Sequence, residues 1–389
     1  MRSTTLVLHT ALAVHVIVAL PHFLPYRHQY CANDTDVMDH LLMETAVRYN
    51  RHKLPSQPVT VRIEMWVQEV TSVSELTQDF EIDLYVNEFW EDPALDYEQL
   101  YPCNRNLSFD HSIQESIWIP NTCFINSKRA LIHSSPFRNV FFMIFPNGSI
   151  WSCWRIKGTG PCILDLAKFP MDSISCILTF ESYNYNIEEV RMKWNEPNPV
   201  ILYKDIELPD FTLINFSTFN IEAKYAAGIW DELTVSFTFR RRYGWYILQG
   251  YIPTYLTIFI SWIPFYLGPK AIPARTMIGV NALLAMTFQF GNIIRNLPRV
   301  SYIKAIDVWV LSGMTFIFAS LIELAMIGFM SRNEGRSIVK LKHLNKKKRK
   351  SKWDTEKLDL YSRIVFPIVY AVFNVGYWGY YMGGILLSS

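Results

Sequence analysis

After Arg242 the sequence holds four long apolar runs, Trp245–Leu267, Ile272–Ile294, Ile303–Met330 and Tyr361–Leu387. A helix that crosses a bilayer needs roughly 20 predominantly apolar residues, because lipid leaves no partner for an unpaired backbone group. The C-terminal part of the chain is therefore expected to fold as a four-helix transmembrane bundle. The second run is the least apolar, carrying Asn281, Thr287, Gln289 and Asn292. A polar stripe on a spanning helix must face other protein or water. Two readings stay open for it, a buried helix contact and the lining of an aqueous pore. Between the last two runs, Ser331 to Leu360 carries eleven Lys/Arg against four Asp/Glu, a local +7. The whole chain is only +2, so the remainder carries −5, which argues against a nucleic-acid binder. The positive-inside rule puts this basic loop (331–360) in the cytoplasm, as a solvated charge run that includes Lys346–Lys350. An even number of crossings then leaves both termini outside.

The preceding residues have another character. Residues 1–26 read as a secretory signal, with Arg2 ahead of an apolar stretch from Leu6 to Leu20. A short membrane anchor is the competing reading. All six cysteines (Cys31, Cys103, Cys123, Cys153, Cys162 and Cys176) lie before residue 180. The four N-x-S/T sequons, at Asn33, Asn106, Asn147 and Asn215, all precede the apolar runs. Both patterns indicate an oxidising, extracytoplasmic compartment and candidate glycosylation sites. Period-two alternation marks Val59–Val67, Phe80–Val86, Val140–Phe145, Ile150–Ile156, Ile177–Phe180 and Leu233–Phe239, with Pro, Asn, Asp and Gly between them. Short alternating stretches at this spacing predict an antiparallel β-sandwich over residues 27–242. Asp36 to Tyr49 is expected to form one helix. The fold class is thus an α+β membrane protein: an outer sandwich, three spans over 243–330, the basic loop, and a fourth span with a short outer tail over 361–389.

Cys162 and Cys176 enclose thirteen residues that contain Phe169-Pro170-Met171-Asp172. This resembles the signature of the pentameric Cys-loop ligand-gated ion channels. Trp118-Ile119-Pro120, Glu181-Ser182-Tyr183 and Leu297-Pro298-Arg299-Val300-Ser301-Tyr302 extend the likeness, which runs from about residue 55 to the C-terminus. The resemblance implies a homo- or hetero-pentamer with related subunits, a Cys162–Cys176 disulfide, and an agonist bound between neighbouring subunits. A disulfide closing a 15-residue loop constrains the unfolded chain by about 3 kcal/mol. The pairing of the other four cysteines stays open. Cys123 and Cys153 are expected as small buried side chains, with a redox role as the alternative.

Pro273-Ala274-Arg275 at the start of the second run resembles the inner mouth of the anion-selective branch, where cation-selective relatives place glutamate. No Asp or Glu occurs between Lys270 and Ile306. In a five-fold assembly, rings of Lys270 or Arg275 inside and of Arg295 outside would favour chloride. Snorkelling of these bases to lipid head groups is the plainer alternative. By the same resemblance, Leu284 is the hydrophobic gate, with Met277, Asn281 and Phe288 also facing the pore. The coupling elements between agonist domain and pore are Phe169, Pro170, Asp172, Arg241, Pro298 and Lys304, with opposite charges expected to bridge the two parts.

For the agonist, the resemblance implies a principal face of Cys123, Glu181, Ser182, Tyr183, Tyr225 and Trp230. The complementary face would be Tyr85, Asn87 and Cys153. Aromatic faces suit an ammonium ion, and Glu181 can accept hydrogen bonds from an amine. Amino-acid-gated relatives place an arginine where this chain has Asn87, so a carboxylate agonist is disfavoured. The expectation is a chloride channel opened by a cationic amine, serotonin or another biogenic amine, with acetylcholine as the alternative. The stretch Met286–Lys304 looks most like invertebrate channels of those two kinds. An accessory subunit is a further alternative, because Asn121 and Cys123 depart from the usual residues. The setting that the resemblance implies is the plasma membrane, at synapses, with lipid around the bundle. Nothing suggests an enzyme: the nine histidines show no metal-ligand spacing and no G-x-S-x-G occurs. Neither a cofactor nor a metal is expected.

Overall fold

Alternation of apolar and polar side chains decides the N-terminal half. In the strand β1 (Val59–Ser74), Val59, Val61, Ile63, Met65 and Val67 are buried while Arg62, Glu64 and Trp66 face the other side. The same rule shapes β2 (Asp79–Glu91), β3 (Leu107–Asp110), β4 (Thr122–Phe124), β5 (Arg129–Ile132) and β6 (Val140–Ile144). It continues through β7 (Ser149–Leu164), β8 (Ser173–Ser182), β9 (Val190–Trp194), β10 (Val200–Leu202), β11 (Phe211–Tyr225) and β12 (Gly228–Arg241). This computed structural model describes residues 31–268, 271–295, 297–343 and 355–386. The expected leader, Lys270 and the Lys346–Lys350 run lie outside the described residues.

The strands run in the order β10-β1-β2-β7-β8-β12-β11. Most pairs are antiparallel, but β1 pairs in parallel with both β9 and β10, a departure from the purely antiparallel expectation. β7 joins the two layers. Its Ser149–Pro161 stretch pairs with β2, and its last residues, Cys162–Leu164, pair with β8. Cys162 stands directly opposite Cys176 in that register, and the two form a disulfide. Cys31 and Cys103 form the second disulfide, and Cys123 and Cys153 are free. The core lies between the layers, with Trp90 and Trp118 in edge-to-face contact at 6.1 Å. Asn33, Asn106, Asn147 and Asn215 are all exposed. The N-terminal helix α1 (Asp34–Asp39) is shorter than expected and passes into a π turn over His40–Thr45.

Below the sandwich, the first apolar run is helical only in pieces: α2 (Gly244–Tyr246), a π turn, α3 (Ile252–Ile260) and a 3-10 turn over Ile263–Tyr266. Pro253 and Pro264 account for the breaks, since proline has no N–H to give the fourth residue back. The carbonyl that Pro253 leaves free, that of Gln249, accepts instead from the Gln289 amide on the next helix. Three unbroken helices follow: α4 (Ile272–Arg295), α5 (Ala305–His343) and α6 (Thr355–Leu386). All three contain a stretch long and apolar enough to cross a membrane. α5 continues beyond Met330 into the expected basic loop, because a helix ends where its backbone bonds end and not where lipid does. Trp309 of α5 centres the bundle, its indole N–H donating to Thr254 at 2.7 Å and its ring 5.0 Å from Tyr377 of α6. α4 and α5 approach closely at Gly313, where any Cβ would collide with the Met286 side chain.

Candidate agonist site, pore face and coupling joint

β4 and β8 hold the first part of the principal face. Their register sets Cys123 opposite Glu181 and Thr122 opposite Ser182. Tyr183 follows, its N–H donating to the Asn121 carbonyl at 3.0 Å, and its side chain is 71% exposed. The β11–β12 hairpin brings Tyr225 and Trp230 to the same place. Gly228 closes its turn at φ 146°, a backbone region that favours glycine. The Tyr225 and Trp230 rings meet edge to face at 5.6 Å, and the Tyr225 hydroxyl donates to Glu232 at 2.7 Å. That hydrogen bond, then burial, pushes the Tyr225 phenol up to about 12. Glu181 is 9% exposed, and its Oε2 is buried without a hydrogen-bond partner. Burial, and then the charge of Glu232, raise its carboxyl above the ordinary value. A desolvated carboxylate with a spare acceptor can accept a positive charge, and Tyr225 lies near enough to feel its field.

Three expected contact residues sit too deep to touch a ligand. Ser182 is 2% exposed and donates to the Pro120 carbonyl at 2.7 Å. Asn87 is fully buried because the Trp151 indole N–H donates to its side-chain oxygen at 3.0 Å and covers it. Cys153 is 4% exposed, and burial pushes its thiol up to about 12. These positions are corrected from contact to support. Cys123 is half-buried over a cavity of about 260 Å³ lined by Glu88, Phe124 and Phe180. Tyr85 remains partly open, with the Arg155 guanidinium 5.7 Å from its ring centre. Asp83 takes the Arg155 charge at 3.0 Å. The outward face of β1, β2 and β7 also carries Trp66 and Trp151, 6.3 Å apart edge to face, which the resemblance did not single out. Their alternation with Met65 and Ser152, both buried, was a sufficient signal.

One broad side of α4 is exposed, and Ala274, Met277, Asn281, Leu284, Phe288, Asn292 and Arg295 form a stripe within it, with Pro273 at its foot. Met277, Leu284 and Phe288 are 63%, 52% and 66% exposed. Arg275 is not on that stripe. It is fully buried, its guanidinium paired with Asp359 of α6 at 2.5 Å. The expected ring of bare Arg275 charges is therefore corrected, since the charge is turned into the bundle and neutralised there. Gln289, bonded to Gln249, makes a helix contact, whereas Asn281 and Asn292 lie open. The buried-contact reading of the polar stripe thus holds for Gln289.

At the joint, Arg241 ends β12 with 2% exposure, ion-paired with Asp172 at 2.7 Å and with Glu75. Its guanidinium lies 4.7 Å from the ring centres of both Phe169 and Phe211. These charges close upon one another inside the sandwich. Lys304 likewise pairs with Asp307, its own neighbour, at 2.9 Å. The expected bridge of opposite charges is replaced by main chain: Ala305 N–H donates to the Ala167 carbonyl at 3.0 Å and Ile306 N–H to that of Phe169 at 3.2 Å. The Tyr302 hydroxyl accepts from the Leu166 N–H at 2.9 Å. Pro298 is buried in the same linker.

Comparison with known proteins covers both parts. Residues 34–243 match the neurotransmitter-gated ion-channel ligand binding domain, and residues 250–350 match the neurotransmitter-gated ion-channel transmembrane region. The acetylcholine-gated chloride channel subunit acc-1 of Caenorhabditis elegans is 54% identical, over 90% of each chain. Its acc-2 counterpart is 46% identical over 96% of this chain and 91% of its own. The serotonin-gated chloride channel mod-1 of the same organism is 48% identical, over 75% of this chain and 60% of its own.

Proposed function

The chain belongs to the neurotransmitter-gated ion-channel family, and from that premise we propose that it is a chloride-channel subunit opened by a cationic agonist without a carboxylate. Glu181 carries this reading, through the buried, unpartnered oxygen it offers near Tyr225. Arg155, whose charge Asp83 already occupies, is a poor partner for a carboxylate agonist. Acetylcholine is the first candidate, because the relatives that cover nine tenths of this chain bear its name. A biogenic amine such as serotonin is the second, favoured by the spare Glu181 acceptor, which a quaternary ammonium cannot fill with a hydrogen bond. For the pore, the absence of acidic residues between Lys270 and Ile306 and the N-terminus of α4 at its inner end support chloride. The receptor would sit in a plasma membrane, at synapses, as a pentamer with the sandwich outside.

The test is expression in oocytes with a panel of acetylcholine, serotonin, tyramine, dopamine, GABA and glutamate. The evoked current should reverse at the chloride potential, and Ala274→Glu should move the reversal toward cations. Reversal at the sodium potential would end the chloride reading, and opening by GABA or glutamate alone would end the cationic one. Silence alone with current beside a related subunit would assign the accessory role.

A pH dependence follows from Glu181. The cation binds its charged form, so potency is fullest above the raised carboxyl pKa and falls as pH descends through it. With acetylcholine, whose charge is fixed, only the protein titrates. Half-maximal concentration should rise on acidification before ordinary carboxylates protonate, and Glu181→Gln should flatten that slope. An unchanged slope in Glu181→Gln would remove Glu181 from the agonist site.

A further inference from the structure

Three side chains at the start of α6 each reach a different helix. Asp359 pairs with Arg275 of α4, at 2.5 and 3.4 Å. The Ser362 hydroxyl donates to Glu323 of α5 at 2.9 Å. Arg363 donates through Nε to the Phe265 carbonyl, at the end of the first span, at 2.8 Å, and lies 4.8 Å from the Tyr266 ring centre. Spacings of three and four residues set these groups on one face of α6. Arg275 is 0% exposed, and Asp359, Ser362 and Glu323 are 3%, 6% and 8% exposed. The outward faces of α6 and α5 are apolar, and this end of α6 is held by an ion pair, where the rest of the helix rests on ring packing and on neutral hydrogen bonds of Asn374, Tyr377 and Trp378.

A buried ion pair is a weak source of net stability, but losing one partner strands the other charge at a large cost. Its strength lies in position, because the charges tolerate only one arrangement. Arg275 follows Ala274, the first residue of the exposed α4 stripe, so fixing Arg275 fixes the direction in which Ala274 faces. We propose that Asp359, Ser362 and Arg363 form a polar clasp through which α6 positions the inner end of the pore helix and keeps the Arg275 charge off the ion path. Arg275 and Asp359 are positioning residues in this scheme, and selectivity arises from the residues that the clasp orients. The proposal rests on the chloride-channel reading, which the wild-type reversal potential tests by itself in the same cells.

The experiment exchanges the charges. Arg275→Asp and Asp359→Arg are each expected to cut agonist-evoked current at least tenfold, with surface protein measured by biotinylation. The double exchange should recover current to within about threefold of wild type and still reverse at the chloride potential. Recovered current with a reversal shifted toward cations would place Arg275 on the ion path and overturn the proposal. So would single variants that reach the surface and conduct normally. If the double exchange does not reach the surface, Asp359→Glu and Asp359→Asn decide. The clasp predicts that the charge-retaining variant conducts and the near-isosteric neutral one does not, and equal behaviour of the two would overturn it.

Discussion

Replacing Arg241 by alanine is expected to abolish agonist-evoked current, by more than a hundredfold, and to lower the amount of receptor at the surface. Two carboxylates, Asp172 and Glu75, close on this guanidinium, and the first is itself 5% exposed. Removing one member of a buried pair typically costs about 3–5 kcal/mol, because the remaining charge has no water to return to. Here the loss also opens the space between Phe169, Phe211 and Tyr246, whose rings surround the guanidinium. Arg241→Lys keeps the charge but loses the fork that spans both acids, and should fall between the two. Asp172→Ala is milder, since Glu75 still holds Arg241; gating should weaken while assembly survives. Surface biotinylation beside concentration–response curves separates the contributions. Normal current from Arg241→Ala would show that the cluster is incidental to gating.

The second large effect concerns Trp230. A desolvated cation–π contact contributes about 2 kcal/mol, so removing the ring's negative face should weaken agonist potency roughly 30-fold. Trp230 is partly exposed on the β11–β12 hairpin, with Tyr225 against it edge to face. The competing role is packing, in which the indole orders the hairpin around Gly228, 3.3 Å from where a Cβ there would sit. Fluorinated tryptophans distinguish the two, because shape is nearly kept while electron density falls. A steady loss of potency with each fluorine is the expected result. Potency indifferent to fluorination would assign Trp230 to packing and leave Tyr183 and Tyr225 as the platform.

Much of this architecture could be read from residue order, and the exceptions have physical causes. Long strands buried on one face, such as β1 and β12, repeat their alternation often enough to be seen, whereas β11, equally long, alternates too little to stand out. β4, β5, β9 and β10 span three to five residues and carry too few alternations to stand out. Their parallel or antiparallel pairing depends on distant chain and has no local mark. Asn87 was expected at the agonist because the resemblance aligns it with a contact position; the Trp151 lid that buries it belongs to another strand. Arg275 is a different matter, because helix geometry alone would have placed it. It precedes Leu284 by nine residues, and at 100° each that is about half a turn away from the Leu284 side of the helix. Its partner Asp359 lies 84 positions on, beyond any local pattern.

The joint between agonist domain and pore has a consequence for how such receptors diverge. Ala305 and Ile306 reach the Cys162–Cys176 loop through amide protons, and Ala167 and Phe169 receive them through carbonyls. No side chain takes part in those two bonds, so substitution at these four positions leaves donor and acceptor in place. A truncation scan would walk across this seam without registering it; only proline at 305 or 306, or an ester in place of the amide, cuts the thread. Subunits whose loops differ in nearly every side chain can therefore share one transmission, much as different garments close on the same stitch.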